Sequence, residues 1–220
     1  MNPNIFLLKS NLRKLIKSAL KQLSAEEKQR QTDIVLRYLE SNDQFKNSKN
    51  VALYLAMKHE EIDTNQLIEK ILKNESRNKR IYVPHIEFSP KDSASSDMVF
   101  YELKNFNQYQ SEMNTDNKYS IRQFNDVSNL EKADETAFDL IIVPGLAFSV
   151  EKSDSAKKIT RMGRGKGYYD NFLKKIPNCH TIAVGFNQQF LPLNKNIEME
   201  LPYDDKDIKI NQFICENFQN

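Results

Sequence analysis

The stretch RMGRGKGYYD, residues 161–170, holds three of the five glycines in a 220-residue chain. Gly163, Gly165 and Gly167 alternate with Arg164 and Lys166, and Tyr168, Tyr169 and Asp170 follow at once. Glycine lets backbone N–H groups turn toward a ligand and lets that ligand come close. A helix starting at Tyr168 would add unpaired N–H groups and a partial positive charge. The two cations add full charges suited to phosphate oxygens. Together these features describe a cradle for a polyanion. Asp170 would lie on the first helical turn, and a carboxylate beside phosphate suits Mg2+. The string is neither the G-x-x-x-x-G-K-[ST] loop nor the G-x-G-x-x-G fingerprint. Taken alone, it also reads as a basic loop ahead of a helix, with Asp170 as a helix-dipole acid.

Such a cradle needs a scaffold, and the apolar pattern supplies one. Leu8, Leu12, Leu15, Ile16, Ala19 and Leu23 recur at helical spacing, which predicts an amphipathic helix over 5–22. Ser24 with Glu27 fits a capping box for a second helix, with Ile34, Val35, Tyr38 and Leu39 facing inward. NVALYLAM (50–57) is a nearly continuous apolar run, as in a strand buried on both faces. Asp63 or Thr64 can cap the next helix, whose inner face is Leu67, Ile68, Ile71 and Leu72. RIYVPHI (80–86) and DMVFYEL (97–103) read as strands, and 104–137 as an irregular excursion. FDLIIVPGLAF (138–148) is a buried strand stopped by Pro144-Gly145, and the charged loop SVEKSDSAKKIT (149–160) leads on to the glycines. A helix over 168–176, ended by Pro177, precedes the strand TIAVGF (181–186), and the tail KDIKINQFICENF offers an edge strand.

Buried strands alternating with helices predict an α/β fold with a mostly parallel sheet. No repeat or linker divides it, so residues 1–220 are expected to form one domain. Ligands of such sheets bind beyond the carboxyl ends of the strands, where the glycine cluster falls.

The bulk composition is compatible with this reading. Thirteen Phe and nine Tyr supply a core despite a mean hydropathy of −0.67. A net charge of +2 argues against a nucleic-acid coat. Cys179 and Cys215 match no metal-ligand spacing and are expected to be free thiols. The first residues do not read as a signal peptide, and no apolar run approaches a membrane span. A cytoplasmic protein with small-molecule partners, and neither nucleic acid nor membrane, is the expectation.

PGLAF (144–148) followed by RMGRGKGYYD resembles the 5-formyltetrahydrofolate cyclo-ligase (methenyltetrahydrofolate synthetase) family. KSNLR (9–13), YLAMKHEEIDT (54–64) and PYDDKDIKIN (202–211) are similar to its other segments, in the same order. The resemblance covers most of the chain and is weakest over 104–137. It implies a three-layer, Rossmann-like fold with a mostly parallel sheet flanked by helices. It implies ATP- and Mg2+-dependent closure of 5-formyltetrahydrofolate to 5,10-methenyltetrahydrofolate, releasing ADP and phosphate through a phosphorylated formyl (iminophosphate) intermediate.

It also implies roles. Lys9 and Arg13 would reach the ATP phosphates, and Arg161, Met162, Gly163, Arg164, Gly165, Lys166, Gly167, Tyr168 and Tyr169 would wrap the nucleotide. Lys166, Arg164 and Tyr168 would be catalytic, Tyr168 lying against the folate near the formyl group. Glu61 would bind the pterin and Met57 would wall it; Asp170 and Asp207 would hold Mg2+. Each residue alone has a plainer reading: Lys9 and Arg13 as a solvated helix face, Glu61 as a first-turn acid beside Glu60, Asp207 as part of an acidic turn, the tyrosines as core. His59, His85 and His180 are not expected in the site. Two departures stand out: the longer loop at 149–160, with Ser149 where an Asp is frequent and extra Lys157 and Lys158, and Asn211 where a second tail acid is often found. The alternative is a non-catalytic nucleotide- or folate-binding module of the same fold; a nucleic-acid binder stacking on Tyr168 and Tyr169 has least in its favour.

Overall fold

A computed structural model describes residues 3–57, 60–73, 79–89, 92–115, 121–150, 158–194, 197 and 200–220. Helix α1 (Pro3–Gln22) buries Leu12, Ile16 and Leu20 at successive i, i+4 steps. Leu8 and Leu15 stay exposed, so its buried stripe is narrower than the sequence pattern. In α2 (Ala25–Ser41) the Ser24 hydroxyl accepts the Glu27 amide at 3.1 Å, as the capping signal predicts. Val35, Leu36 and Leu39 are its buried apolar face, while Ile34 and Tyr38 are only half-buried. The short α3 (Asp43–Asn47) leads into β1 (Asn50–Leu53).

The β1 strand is half the length the apolar run suggests. After Leu53 the chain folds back on itself: the Tyr54 carbonyl accepts the Thr64 hydroxyl at 2.6 Å and the Tyr54 hydroxyl donates to the Ile62 carbonyl at 2.8 Å. Helix α4 (Thr64–Lys73) follows, its start held by Asp63, which accepts the Asn65 amide. Strands β2 (Arg80–Ser89) and β3 (Asp92–Leu103) form an antiparallel hairpin, with β3 starting earlier than expected.

Residues 104–137 are more ordered than their sequence suggests. They contain α5 (Phe106–Ser111) and a small pair, β4 (Met113–Asn114) with β5 (Gln123–Phe124). Tyr109, Met113 and Phe124 are buried and join the main core.

Strand β6 (Leu140–Val143) stops at Pro144. The charged loop of the sequence reading is in part a hairpin: β7 (Ala147–Val150) pairs antiparallel with β8 (Ile159–Met162). Ser149 lies on β7, while 151–157, including Lys157, and His59 fall outside the described residues. Helix α6 (Tyr168–Lys175) follows the glycines, then β9 (His180–Val184), β10 (Gln212–Cys215) and β11 (Phe218–Gln219).

The main sheet runs β11-β10-β9-β6-β1-β2-β3, with its five inner strands parallel and β11 and β3 antiparallel at the edges. The tail strand β10 therefore lies inside the sheet, and β11 is the edge. Side chains alternate between the two faces with the period of a strand. Leu140, Ile142 and Ile182 join the cluster containing Leu12, Val35 and Leu67 of the helices on one side. Ile141, Val143 and Ala183 join the cluster containing Phe172 of α6 on the other. This is the three-layer α/β arrangement with a mostly parallel sheet.

Chain order fixes where a ligand can enter. From β1 the chain goes to β2 on one side, and it later returns to place β6 on the other. The carboxyl ends of β1 and β6 thus flank a topological switch point, the place where connections diverge and leave a crevice. Among the described residues no helix is long and apolar enough to cross a membrane.

Candidate active site

The glycine loop, 163–167, joins β8 to α6 beside that crevice. Gly165 (φ +104°) and Gly167 (φ +73°) both adopt left-handed backbone, which a side chain would strain. Gly167 caps α6 without a side-chain bond, so the first amides of the helix are left for solvent or an anion. Helix α1 lies against the loop. Arg13 Nε donates to the Gly163 carbonyl at 2.9 Å, and its guanidinium flanks Gly165. One turn earlier the buried Lys9 Nζ donates to Asp207 at 2.5 Å and Asp204 at 3.3 Å. Asp207 also accepts the Asp204 amide at 2.7 Å. Lys9 and Arg13 therefore face inward and tie the first helix to the loop and the tail.

Asp170 is held from two directions through Oδ1. Arg161 Nη2 donates to it at 2.7 Å and the Ile208 amide at 3.2 Å. The second bond brings Asp170 to the residue next to Asp207. Asp170 thus lies beside the chain segment that carries Asp207, and each carboxylate is of the oxygen-ligand type that Mg2+ favours. Among the described residues no group of three or more His, Cys, Asp or Glu gathers at one point. Asn211 lies elsewhere: its Oδ1 accepts the Thr181 amide and hydroxyl, both at 2.8 Å, at the amino end of β9. The departure at that position thus serves strand pairing.

Arg161 and Met162 sit on β8 rather than in the loop, and both side chains are buried. Arg161 Nη1 donates to the Pro144 carbonyl at 3.0 Å, so the guanidinium braces the floor beneath the glycines. Its Nε is buried without a partner among the described residues.

On the other side of the loop Arg164 reaches the turn after β1. Its Nε and Nη2 donate to Glu61 Oε1 at 3.2 and 3.1 Å, and Nη1 pairs with Glu60. Glu61 Oε2 accepts the Met57 amide at 2.9 Å. Burial pushes the Glu61 carboxyl above its usual range, against the pull of Arg164. Tyr169 lies behind, its buried hydroxyl without a partner among the described residues and its pKa raised by burial and by Glu61. The Tyr168 hydroxyl lies 2.9 Å from Ser96 Oγ. Lys166 is exposed and forms no ion pair within the described residues.

Glu61 and the half-buried Met57 line a cavity of about 410 Å3 that also touches Ala56, Tyr109, Arg122 and Phe186. Its size is within the range of small-molecule sites. Tyr109, Arg122 and Phe186 escaped the sequence reading. The first two belong to the excursion at 104–137, whose apolar residues are spaced too unevenly to signal a shared wall.

The 5-formyltetrahydrofolate cyclo-ligase family model matches residues 7–216. The chain belongs to this family. A 5-formyltetrahydrofolate cyclo-ligase from Mus musculus is 30% identical over 95% of this chain and 94% of its own length. A probable 5-formyltetrahydrofolate cyclo-ligase from Schizosaccharomyces pombe is also 30% identical, over 94% and 95%. The solved structure of Aquifex aeolicus 5,10-methenyltetrahydrofolate synthetase superposes with a TM-score of 0.72 at 29% identity, covering 96% of this chain and 91% of that one. Membership in the cyclo-ligase family makes the chain an enzyme, a ligase of folate one-carbon metabolism.

Proposed function

We propose that the whole chain acts as one domain that closes 5-formyltetrahydrofolate to 5,10-methenyltetrahydrofolate, using ATP and Mg2+. The observation that carries this reading is the reach of Arg164. One side chain spans from the glycine loop to Glu61, so a phosphate cradle and a buried carboxylate open onto neighbouring space. A carboxylate there can accept two N–H bonds from the 2-amino-4-oxo edge of a pterin. Met57 and Phe186 offer apolar surface beside it.

The chemistry then needs little beyond positioning and charge neutralisation. The formyl oxygen attacks the γ-phosphorus, and the bond to the ADP oxygen breaks. The formyl carbon now carries phosphate, a far better leaving group than hydroxide. N10 of the folate adds to that carbon, loses its proton, and phosphate departs. Arg13, Arg164 and Lys166 stabilise the charge on the transferring group, while the glycine amides hold the nucleotide. Asp170 and Asp207 would hold Mg2+, which supplies charge shielding between phosphate oxygens when bound. Tyr168 lies where the loop meets the sheet and positions the formyl group.

Purified protein with MgATP and 5-formyltetrahydrofolate should develop the near-ultraviolet absorbance of the methenyl product, and only when ATP is present. ATP binding without product or ADP at high enzyme concentration would instead favour a binding module. The compartment we assign is the cytosol. Cys179 and Cys215 are both free thiols, as suits a reducing environment.

Asp170→Asn should raise the Mg2+ concentration needed for half-maximal rate. It should also lower stability by about 1–3 kcal/mol, because the buried Arg161 loses the charge of its half-buried partner. Mg2+ titration of the rate and urea unfolding report the two effects separately. An unchanged Mg2+ dependence removes Asp170 from the metal site, and unchanged stability removes its role as anchor.

A further inference from the structure

The contact that joins the two halves of the site also sets them in competition. All three guanidinium nitrogens of Arg164 are held by acids: Nε and Nη2 donate to Glu61 Oε1 at 3.2 and 3.1 Å, and Nη1 donates to Glu60. Both oxygens of Glu61 are held in turn, since Oε2 accepts the Met57 amide at 2.9 Å. Two bonds from Arg164 fill the lone pairs of Oε1, while Oε2 has room for one more. The paired N–H donors of a pterin edge need both oxygens, so they cannot seat fully while Arg164 stays on Glu61. Nor can Arg164 turn its fork toward phosphate while two carboxylates hold it.

Burial decides how this pair can part. The Glu61 side chain is 8% exposed and that of Arg164 24%, so splitting them without replacement would leave two poorly solvated charges. New partners remove that cost: a phosphate for the guanidinium, and N–H donors for the carboxylate. Glu60 is different. Its side chain is 39% exposed, so it holds Arg164 from the rim and returns to water when released.

We infer that Arg164 couples the two substrate sites and that Glu60 is its latch: a seated nucleoside triphosphate draws Arg164 off Glu61 and frees that carboxylate for the pterin. The inference rests on the ATP and folate reading proposed above. Coupling is reciprocal, so a folate on Glu61 frees Arg164 for phosphate by the same factor. Whichever substrate binds first breaks the contact, and the second finds it already broken. Glu60 is thus a positioning residue that acts through Arg164. Weakening the latch populates the parted arrangement, which tightens the binding of each substrate alone and leaves less to gain from the other.

Equilibrium titration tests this with Mg2+ and the β,γ-imido analogue of ATP, and with 5-formyltetrahydrofolate, each alone and then with the other saturating. In the parent, the Kd for 5-formyltetrahydrofolate should fall about tenfold when the analogue is present, within the usual range of coupling. Glu60→Gln should bind each ligand alone about two- to fivefold more tightly, the scale of one partly exposed ion pair. Its Kd values with the other ligand present should equal the parent's, so its coupling shrinks by the same factor. Damage to the fold would weaken binding rather than tighten it. A parental Kd indifferent to the analogue would overturn the coupling, and single-ligand Kd values unchanged or raised in Glu60→Gln would overturn the latch. No binding of 5-formyltetrahydrofolate by the parent under either condition would instead overturn the folate reading.

Discussion

Lys166→Ala is expected to lower kcat about 10²–10³-fold, the usual cost of removing one donor aimed at developing charge. Its thermal midpoint should stay within a degree or two of the parent's, since substitutions at exposed, uninvolved positions change stability by about 0.5 kcal/mol or less. The two halves of the expectation have separate physical grounds. Lys166 is exposed, forms no ion pair among the described residues, and lies between two glycines whose left-handed backbone sets the path of the loop. Removing its side chain takes nothing from the fold. In phosphoryl transfer, however, the transition state spreads negative charge over the oxygens of the moving group, and catalysis depends on cations already in place around it. A lysine held out by a glycine loop, with no acid among the described residues to neutralise it, is free to meet that charge. The measurement is steady-state kinetics beside a thermal melt. A variant with the parental rate would remove Lys166 from the site, and one that unfolds early would make its role structural.

Arg13 and Arg164 would behave differently, and the contrast shows what the sequence could reveal. The glycine loop, its cations and the helix after it were legible, because their signal is local: residue type, spacing and the strand before them. The cap at Ser24 and the inward face of α4 were legible for the same reason. The partners of the loop were not. Lys9 meets Asp207 from the opposite end of the chain, and Arg164 meets Glu61 from a turn more than a hundred residues earlier. No periodicity encodes such pairings; they arise from the packing of elements far apart in the chain, among them the adjacent strands β1 and β6. Arg161 shows the limit most clearly. By composition it belongs with the loop cations, yet the β7–β8 hairpin turns it under the loop, where Asp170 offers it a charge and Pro144 a carbonyl. The excursion at 104–137 was illegible for another reason. Its buried residues Tyr109, Met113 and Phe124 follow neither period, since each fills a gap left by elements already placed.

Glu61→Gln should raise the KM for 5-formyltetrahydrofolate about a hundredfold, the upper range for losing hydrogen bonds to a charged group. Its effect on stability should be of a different kind. A carboxylate offers the pterin two acceptor oxygens, whereas the amide offers one acceptor and an unwanted donor. For the fold, the ionised Glu61 is a burden: burial raises its pKa above the ordinary 4.5, and the attraction of Arg164 recovers only part of that cost. Between 4.5 and the raised value the folded chain binds more protons at this site than the unfolded chain does. Stability contributed by the site therefore falls as pH rises through that window. The glutamine variant has no such dependence. Its midpoint, measured relative to the parent, should climb as pH rises from 4.5 and level off above the raised pKa. Glu60 remains to pair with Arg164, so the arginine is not left without an acid. Melts of both proteins across pH, with substrate saturation curves at one pH, carry the test. A KM within twofold of the parent would take the pterin away from Glu61, and a midpoint difference flat with pH would mean that burial does not hold this carboxyl up.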